Sequence, residues 1–144
     1  MQLSERIQRS ETHQFRMIIQ NSLNDNGNLF GGFAMQWMDE VAYITAIRFT
    51  RIKVVTVSVD RLKFRKAIKP GSMVEIIGKV IKVGTVKIDI KVELFVEKSD
   101  SDQRDLAVEA TFTFAAIDVE NKPMALKWEK VIDQEKEVLS YQLQ

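Results

Sequence analysis

Four residues near the start of this chain stand in positions suited to chemistry: Asn24 in a polar loop, the adjacent pair Gly31 and Gly32, and Asp39 about two helical turns further on. Asp39 is a poor helix former inside a largely apolar segment, and Glu40 beside it points about a quarter-turn away, so one of the two faces solvent and the other need not. Two glycines in a first helical turn forfeit roughly 1 kcal/mol each relative to alanine, and are best tolerated where bare backbone approaches a ligand or another element. The free N–H groups of such a terminus suit a carbonyl oxygen that gains negative charge. Helix packing explains the same pair equally well, and both readings stay open at this stage.

Composition removes many alternatives. Of 144 residues none is cysteine, which excludes disulfides, thiolate nucleophiles and cysteine zinc sites. The single histidine, His13, would have to carry any histidine triad or multi-histidine metal site alone, and its neighbours read as a short strand. If the chain is a hydrolase, its base is a carboxylate. A formal charge of +1 gives no general argument for nucleic acid or a membrane. No apolar run reaches membrane-spanning length, and the first ten residues lack the apolar core of a signal peptide, so a cytoplasmic setting is expected.

These residues need a frame, and the hydrophobic periods predict one. Asn24 to Asn28 is rich in turn formers, and Asn28 is a plausible N-cap for a helix that begins between Leu29 and Gly32. Ala34, Trp37, Met38, Val41, Ala42, Thr45 and Phe49 then recur at the spacing of one helical face, while Met35, Tyr43, Ile44 and Ile47 fill much of the rest. A helix apolar nearly all round must be wrapped, and only a sheet is left to wrap it. The expected strands are His13–Ile19, a half-buried Val54–Asp60 continued to Lys66, Met73–Val83, Val86–Lys98 and Leu106–Asp118. Turns fall at Lys69–Ser72, at Gly84-Thr85, at Ser99–Asp105 and at Glu120–Pro123. Residues 1–11 read as a loose arm or short helix, and 127–140 as a C-terminal helix. The whole of 1–144 is expected to form one α+β domain with its core in 12–126, a long central helix wrapped by about five antiparallel strands.

At this point the chain resembles a known family. The ordered set Asn24-Asp25-Asn26-Gly27-Asn28-Leu29-Phe30-Gly31-Gly32, Met38-Asp39-Glu40, Val55–Asp60, Phe64, Pro70-Gly71, Glu109–Phe114 and Lys122-Pro123 is similar to hot-dog fold acyl-CoA thioesterases of the YciA and brain acyl-CoA hydrolase type. The resemblance implies hydrolysis of the thioester of acyl-coenzyme A by a homo-oligomer of hot-dog dimers, a tetramer or a hexamer. It places the catalytic aspartate on Asp39 and the catalytic asparagine on Asn24, which in the family meet across an interface. Asp39 is then base or nucleophile, Asn24 orients water or holds the thioester, and the N–H of Gly32 or a neighbour polarises the carbonyl. No metal or cofactor beyond the coenzyme A of the substrate is implied, because a thiolate leaves readily.

Coenzyme A phosphates need cations, and Lys63, Arg65 and Lys66 before the Pro70 turn, with Lys82 and Lys87 flanking Gly84-Thr85, are the expected contacts beside Gly31. The chain departs from the family pattern there: Val83 stands where arginine is often seen, and Lys87 where a small hydroxyl residue is common. The competing reading of these lysines is the charged half of an alternating surface. Two other functions compete. A hydratase or dehydratase of the same fold would need His13 to reach the helix, and a non-catalytic acyl-CoA sensor would need a separate partner, since the residues before the loop leave no room for a helix-turn-helix.

Overall fold

The computed structural model describes residues 2–126. In chain order it contains α1 (Leu3–Ser10), β1 (Thr12–Met17), a short 3-10 turn (Gln20–Ser22), α2 (Gly31–Thr50), β2 (Val54–Phe64), β3 (Ser72–Val83), β4 (Lys87–Lys98) and β5 (Arg104–Ala116). The strands form one antiparallel sheet in the order β1-β3-β4-β5-β2. Strand ends lie within two residues of where hydrophobic alternation puts them. The expected helix at 127–140 lies outside the described residues. None of the described helices is long and apolar enough to cross a membrane.

The inner face of the sheet wraps α2. On β4 the alternation is plain: Ile88, Ile90, Val92 and Leu94 are buried, while Lys87, Asp89, Lys91 and Glu93 point outward. Phe112 and Phe114 of β5 and Val74, Ile76 and Val80 of β3 complete the wall, against Met38, Val41, Ala42, Ala46 and Phe49 of the helix. The closest approach is at Gly78, where a Cβ would come within 2.5 Å of Thr45 Oγ1 and 3.0 Å of Val41 Cγ1. Any side chain there would push the helix off the sheet. At its far end α2 stops on Arg51 in the left-handed region, φ 56°, whose N–H donates to the Ile47 carbonyl at 2.7 Å.

Two expectations are corrected. Asn28 does not cap α2; the N-cap is Phe30, and no side chain caps it. The backbone of Asn28 is instead held inside the loop, where its carbonyl accepts from Asn24 N and its N–H donates to Asn24 Oδ1, two residues short of the N-cap position. The β2 strand is not half-buried: among its large apolar side chains only Val54 is buried, while Val57 is 47% and Phe64 55% exposed. It is an edge strand with irregular register at Thr56/Ser58 and Asp60/Lys63, and among the described residues it has a neighbouring strand on one side only. Of the two readings of residues 1–11 the short helix is the one adopted: Leu3 and Ile7 of α1 are buried, and Arg48 of α2 donates to the carbonyls of Arg9 (2.6 Å) and Glu11 (2.9 Å).

His13 serves this packing. On the outer face of β1 its Nδ1 meets Glu75 at 2.8 Å and its Nε2 meets Glu11 at 2.7 Å, and Arg104 also pairs with Glu75. Carboxylates accept only, so both ring nitrogens must donate and the imidazole is held as the cation. Hydrogen bonds to Glu11 and then Glu75 raise its pKa above 6.5. Burial pushes the Glu75 carboxyl up, but hydrogen bonds from His13 and Arg104 outweigh it and leave the pKa below 4.5. The raised histidine contributes stability that is complete below the unfolded-state pKa and is lost as pH rises through the folded value; the depressed glutamate contributes above its unfolded pKa and is lost on acidification. The melting temperature is therefore expected to fall as pH rises from the ordinary histidine value of 6.5 through the raised folded one, and His13→Gln to flatten that slope. An equal slope in the variant would contradict the clamp.

Candidate active site

The loop before α2 is organised by Asn24. Its N–H donates to the Asn28 carbonyl at 2.7 Å and its carbonyl accepts from Gly27 N at 3.0 Å, with Gly27 in the left-handed region at φ 76°. Its side-chain Oδ1 accepts from the N–H groups of Asn26 (2.9 Å) and Asn28 (3.1 Å). Backbone N–H groups can only donate, which fixes the amide orientation and leaves the Asn24 NH2, with two donors, for another task. Asn24 borders a cavity of about 280 Å³ shared with Gly31, Ala34, Phe64, Arg65 and Lys66. Gly31 lies under the Phe64 ring, and a Cβ on Gly32 would come within 2.6 Å of the Phe30 ring. No side chain of the described residues caps α2, and its first residue, Gly31, lines this cavity.

Asp39 lies eight residues beyond Gly31, about 12 Å along the helix axis. Of the acidic pair it is Asp39 that is exposed in the single chain; Glu40 is tied to Arg16 at 3.2 Å, and Arg16 in turn lies over the Trp37 ring at 4.8 Å. Desolvation by its neighbours raises the Asp39 pKa, a hydrogen bond with the Thr56 side chain opposes the rise, and the charge of Glu40 adds to it. A carboxylate shifted upward is a stronger base while still ionised near neutral pH. Thr56 sits on the inner face of β2, opposite Phe114. Sequence reasoning missed Thr56 because the alternation counted it as the wet half of a strand.

The basic residues divide into two groups. Arg65 pairs with Glu109 at 2.7 Å and Lys66 with Asp105 at 3.2 Å, both beside the Asn24 cavity. Lys63 stands opposite Glu109 on the outer face, where its charge helps to hold the Glu109 pKa down. Gly84, Thr85 and Lys87 line a second cavity of about 410 Å³ with Lys82, Asp89 and Thr113. That cavity is at the opposite end of the sheet: Phe64 pairs with Val108 and Lys87 with Ala115, seven residues apart on β5, or about 24 Å. Within one chain, then, Asp39 meets Thr56, Asn24 meets Gly31, Arg65 and Lys66, and the Gly84 group stands apart from both.

Residues 26–102 match the model of the thioesterase superfamily. The chain belongs to the thioesterase superfamily. Within it, the chain is similar to the acyl-CoA thioester hydrolase YciA of Escherichia coli K12, at 37% identity over 106 residues, 72% of this chain and 80% of YciA. It is also similar to an uncharacterised acyl-CoA thioester hydrolase of Haemophilus influenzae, at 41% over 98 residues, 66% of this chain and 64% of that protein. Among solved structures, a Staphylococcus aureus acyl-CoA hydrolase in complex with butyryl coenzyme A, coenzyme A and coenzyme A disulfide superposes with a TM-score of 0.79 at 26% identity, over 96% of this chain and 98% of that one. An aspartate-to-alanine mutant of HI0827, a hexameric broad-specificity acyl-coenzyme A thioesterase, superposes at 0.77 and 31% identity, over 90% and 95%. The long helix wrapped by five antiparallel strands is the hot-dog fold of this superfamily. The S. aureus enzyme has also been solved with an asparagine, an aspartate and a threonine each replaced by alanine, the three residue types that Asn24, Asp39 and Thr56 supply here.

If Asp39 acts ionised, the acid limb of the pH–rate profile should lie above the ordinary aspartate value of 3.8, because its pKa is raised. Thr56→Val removes the one interaction that favours the charged form, so the limb should move to still higher pH with a smaller change on the alkaline side. An unmoved limb in a folded variant would show that Thr56 does not act on Asp39.

Proposed function

We propose that this chain hydrolyses the thioester of acyl-coenzyme A, releasing a carboxylic acid and the coenzyme A thiol. The observation that carries the proposal is Asp39: a carboxylate with a raised pKa, hydrogen-bonded with Thr56 and open to solvent on the helix of a thioesterase-superfamily chain. Asp39 takes a proton from water, the water oxygen adds to the thioester carbonyl, and collapse of the tetrahedral intermediate breaks the C–S bond. The thiolate leaves as a stable anion. The N–H of Gly32 stabilises the oxyanion and the Asn24 NH2 holds water or the carbonyl. The residues need nothing beyond the substrate's own coenzyme A for this chemistry.

Asn24 and Asp39 belong, in this reading, to different copies of the chain. In one copy about 12 Å of helix separates the end that carries the Asn24 cavity from Asp39, and a second copy placed antiparallel along the β2 edge would carry its own loop toward Asp39. The same placement would bring the Gly84, Thr85 and Lys87 cavity of one copy toward Lys63, Arg65 and Lys66 of another, where a phosphate-bearing ligand could meet both groups. The exposed Val55, Val57, Val59 and Phe64 of β2 supply the apolar surface for such pairing. The assembly we propose is a hexamer built of these dimers, in line with the hexameric HI0827 enzyme. The hydratase alternative loses its footing, because His13 projects from the outer face of the sheet and both its nitrogens are engaged by Glu11 and Glu75.

The test is release of free thiol from a panel of acyl-CoAs. Asp39→Asn should lower turnover by about 100-fold or more with the fold retained. Near-normal turnover in a well-folded variant would remove Asp39 from the reaction, and no thiol release by the parent from any acyl-CoA would favour a sensor.

A further inference from the structure

Most of the exposed large apolar side chains among the described residues fall into two sets. One lies on β2 and the exposed side of α2, the surface assigned above to pairing within a dimer. The other is Phe15 and Met17 of β1, with Ile19 just beyond them, at the opposite edge of the sheet. Phe15 is 63% exposed, and with Met17 it projects from the outer face, the face of His13. The alternate residues of β1 turn inward, where Arg16 lies over Trp37 and pairs with Glu40 of α2.

In register, Phe15 stands opposite Glu75 of β3 and Glu75 opposite Phe95 of β4, so a carboxylate lies between two aromatic residues. Glu75 is buried and joined to both His13 and Arg104, and Arg104 covers the Phe95 ring at 4.3 Å. A surface left to water can keep its carboxylates hydrated. One that is to be covered must neutralise them beforehand, because a buried unpaired charge is strongly destabilising. Beside this patch is a hollow of about 300 Å³, lined by Ile77, Ile81 and Phe95 together with Lys79, Lys91 and Glu93. One face thus carries a projecting ring, a recess with apolar walls and charges of both signs. Such a face complements a second copy of itself, ring to recess and lysine to carboxylate.

We propose that this outer face, centred on Phe15 and Met17, is the contact through which one dimer meets the next, and that its occupant is the same face of another copy of the chain. The inference rests on the assembly proposed above and names its second interface. A dimer joined through β2 uses one edge of each sheet, and dimers assemble further only through another surface. Each dimer carries two outer faces, so three dimers close into a ring with every such face covered. Phe15 and Met17 form the apolar centre of the contact, and the Glu11, His13 and Arg104 cluster lies at its charged rim.

The experiment measures mass by light scattering at micromolar concentration for the parent, Phe15→Glu and Met17→Lys, with circular dichroism as the check on folding. Both positions are exposed in the single chain, so either charge is tolerated by the fold. The parent should be a hexamer. Each variant should raise the concentration at which hexamers dissociate by about 30-fold or more, the scale of a hot-spot residue, and give dimers that keep thiol release per site, since the shared site lies within the dimer. Val119→Glu places a charge on an exposed apolar residue in the turn after β5 and should stay hexameric. Hexamers that persist in both folded Phe15 and Met17 variants would overturn this contact alone and leave the face to a different partner. Equal dissociation of Val119→Glu would trace the effect to added charge and overturn it too. A parent that is a stable, active dimer would overturn this interface and spare the β2 pairing, whereas a monomeric parent would overturn both.

Discussion

Everything in this fold depends on how closely α2 lies against the sheet. The helix buries Met38, Val41, Ala42, Ala46 and Phe49 completely, and it can do so only because Gly78 leaves room for Thr45 and Val41. A side chain at Gly78 would have to displace atoms that close packing leaves no space to move. That contact fixes the axial position of the helix relative to β2 and β5. It therefore also fixes where Asp39 meets Thr56, where Tyr43 meets Phe114, and where the uncapped helix start opens onto the Asn24 cavity.

The single chain satisfies its core but leaves one side unfinished. Along β2 and the neighbouring face of α2, apolar side chains stand exposed beside the carboxylate proposed for catalysis. A row of unpaired strand groups next to such a surface is a place for another strand. In the proposed assembly self-association and catalysis are one structural problem: the surface that would pair two copies is the surface on which Asp39 lies. The raised pKa of Asp39 fits the same logic, since further desolvation on pairing would push a carboxylate in the same direction.

Much of this was legible in the sequence, for reasons that can be named. The helix and the interior strands followed from period, because each has one partner-defined face and burial forces alternation upon it. The loop, Gly31, Gly32 and Asp39 stood out as departures from that pattern. What failed was whatever depended on a neighbour that the period does not identify. Val55, Val57 and Val59 alternate like a half-buried strand, but β2 is an edge and these three valines are exposed. Thr56 is exposed, as the alternation has it, but period alone does not show that it acts on the charge of Asp39. Asn28 has the chemistry of an N-cap, but its backbone closes the loop with Asn24 and the helix starts two residues later, at Phe30. Arg65 and Lys66 read as free cations, and acquire Glu109 and Asp105 only once β2 and its continuation lie beside β5.

The claim on which the rest turns is that Asn24 of one copy serves Asp39 of another, and co-expression of two inactive variants measures it directly. Differently tagged Asn24→Ala and Asp39→Asn chains, co-expressed, shown to form mixed assemblies and compared per site over the whole population with each parent, give two separable outcomes. A shared site collects both mutations in one half of a mixed dimer and neither in the other, so random pairing should restore about a quarter of wild-type activity. Mixed assemblies as inactive as the parents would show that the two residues act within one chain, and would contradict the account.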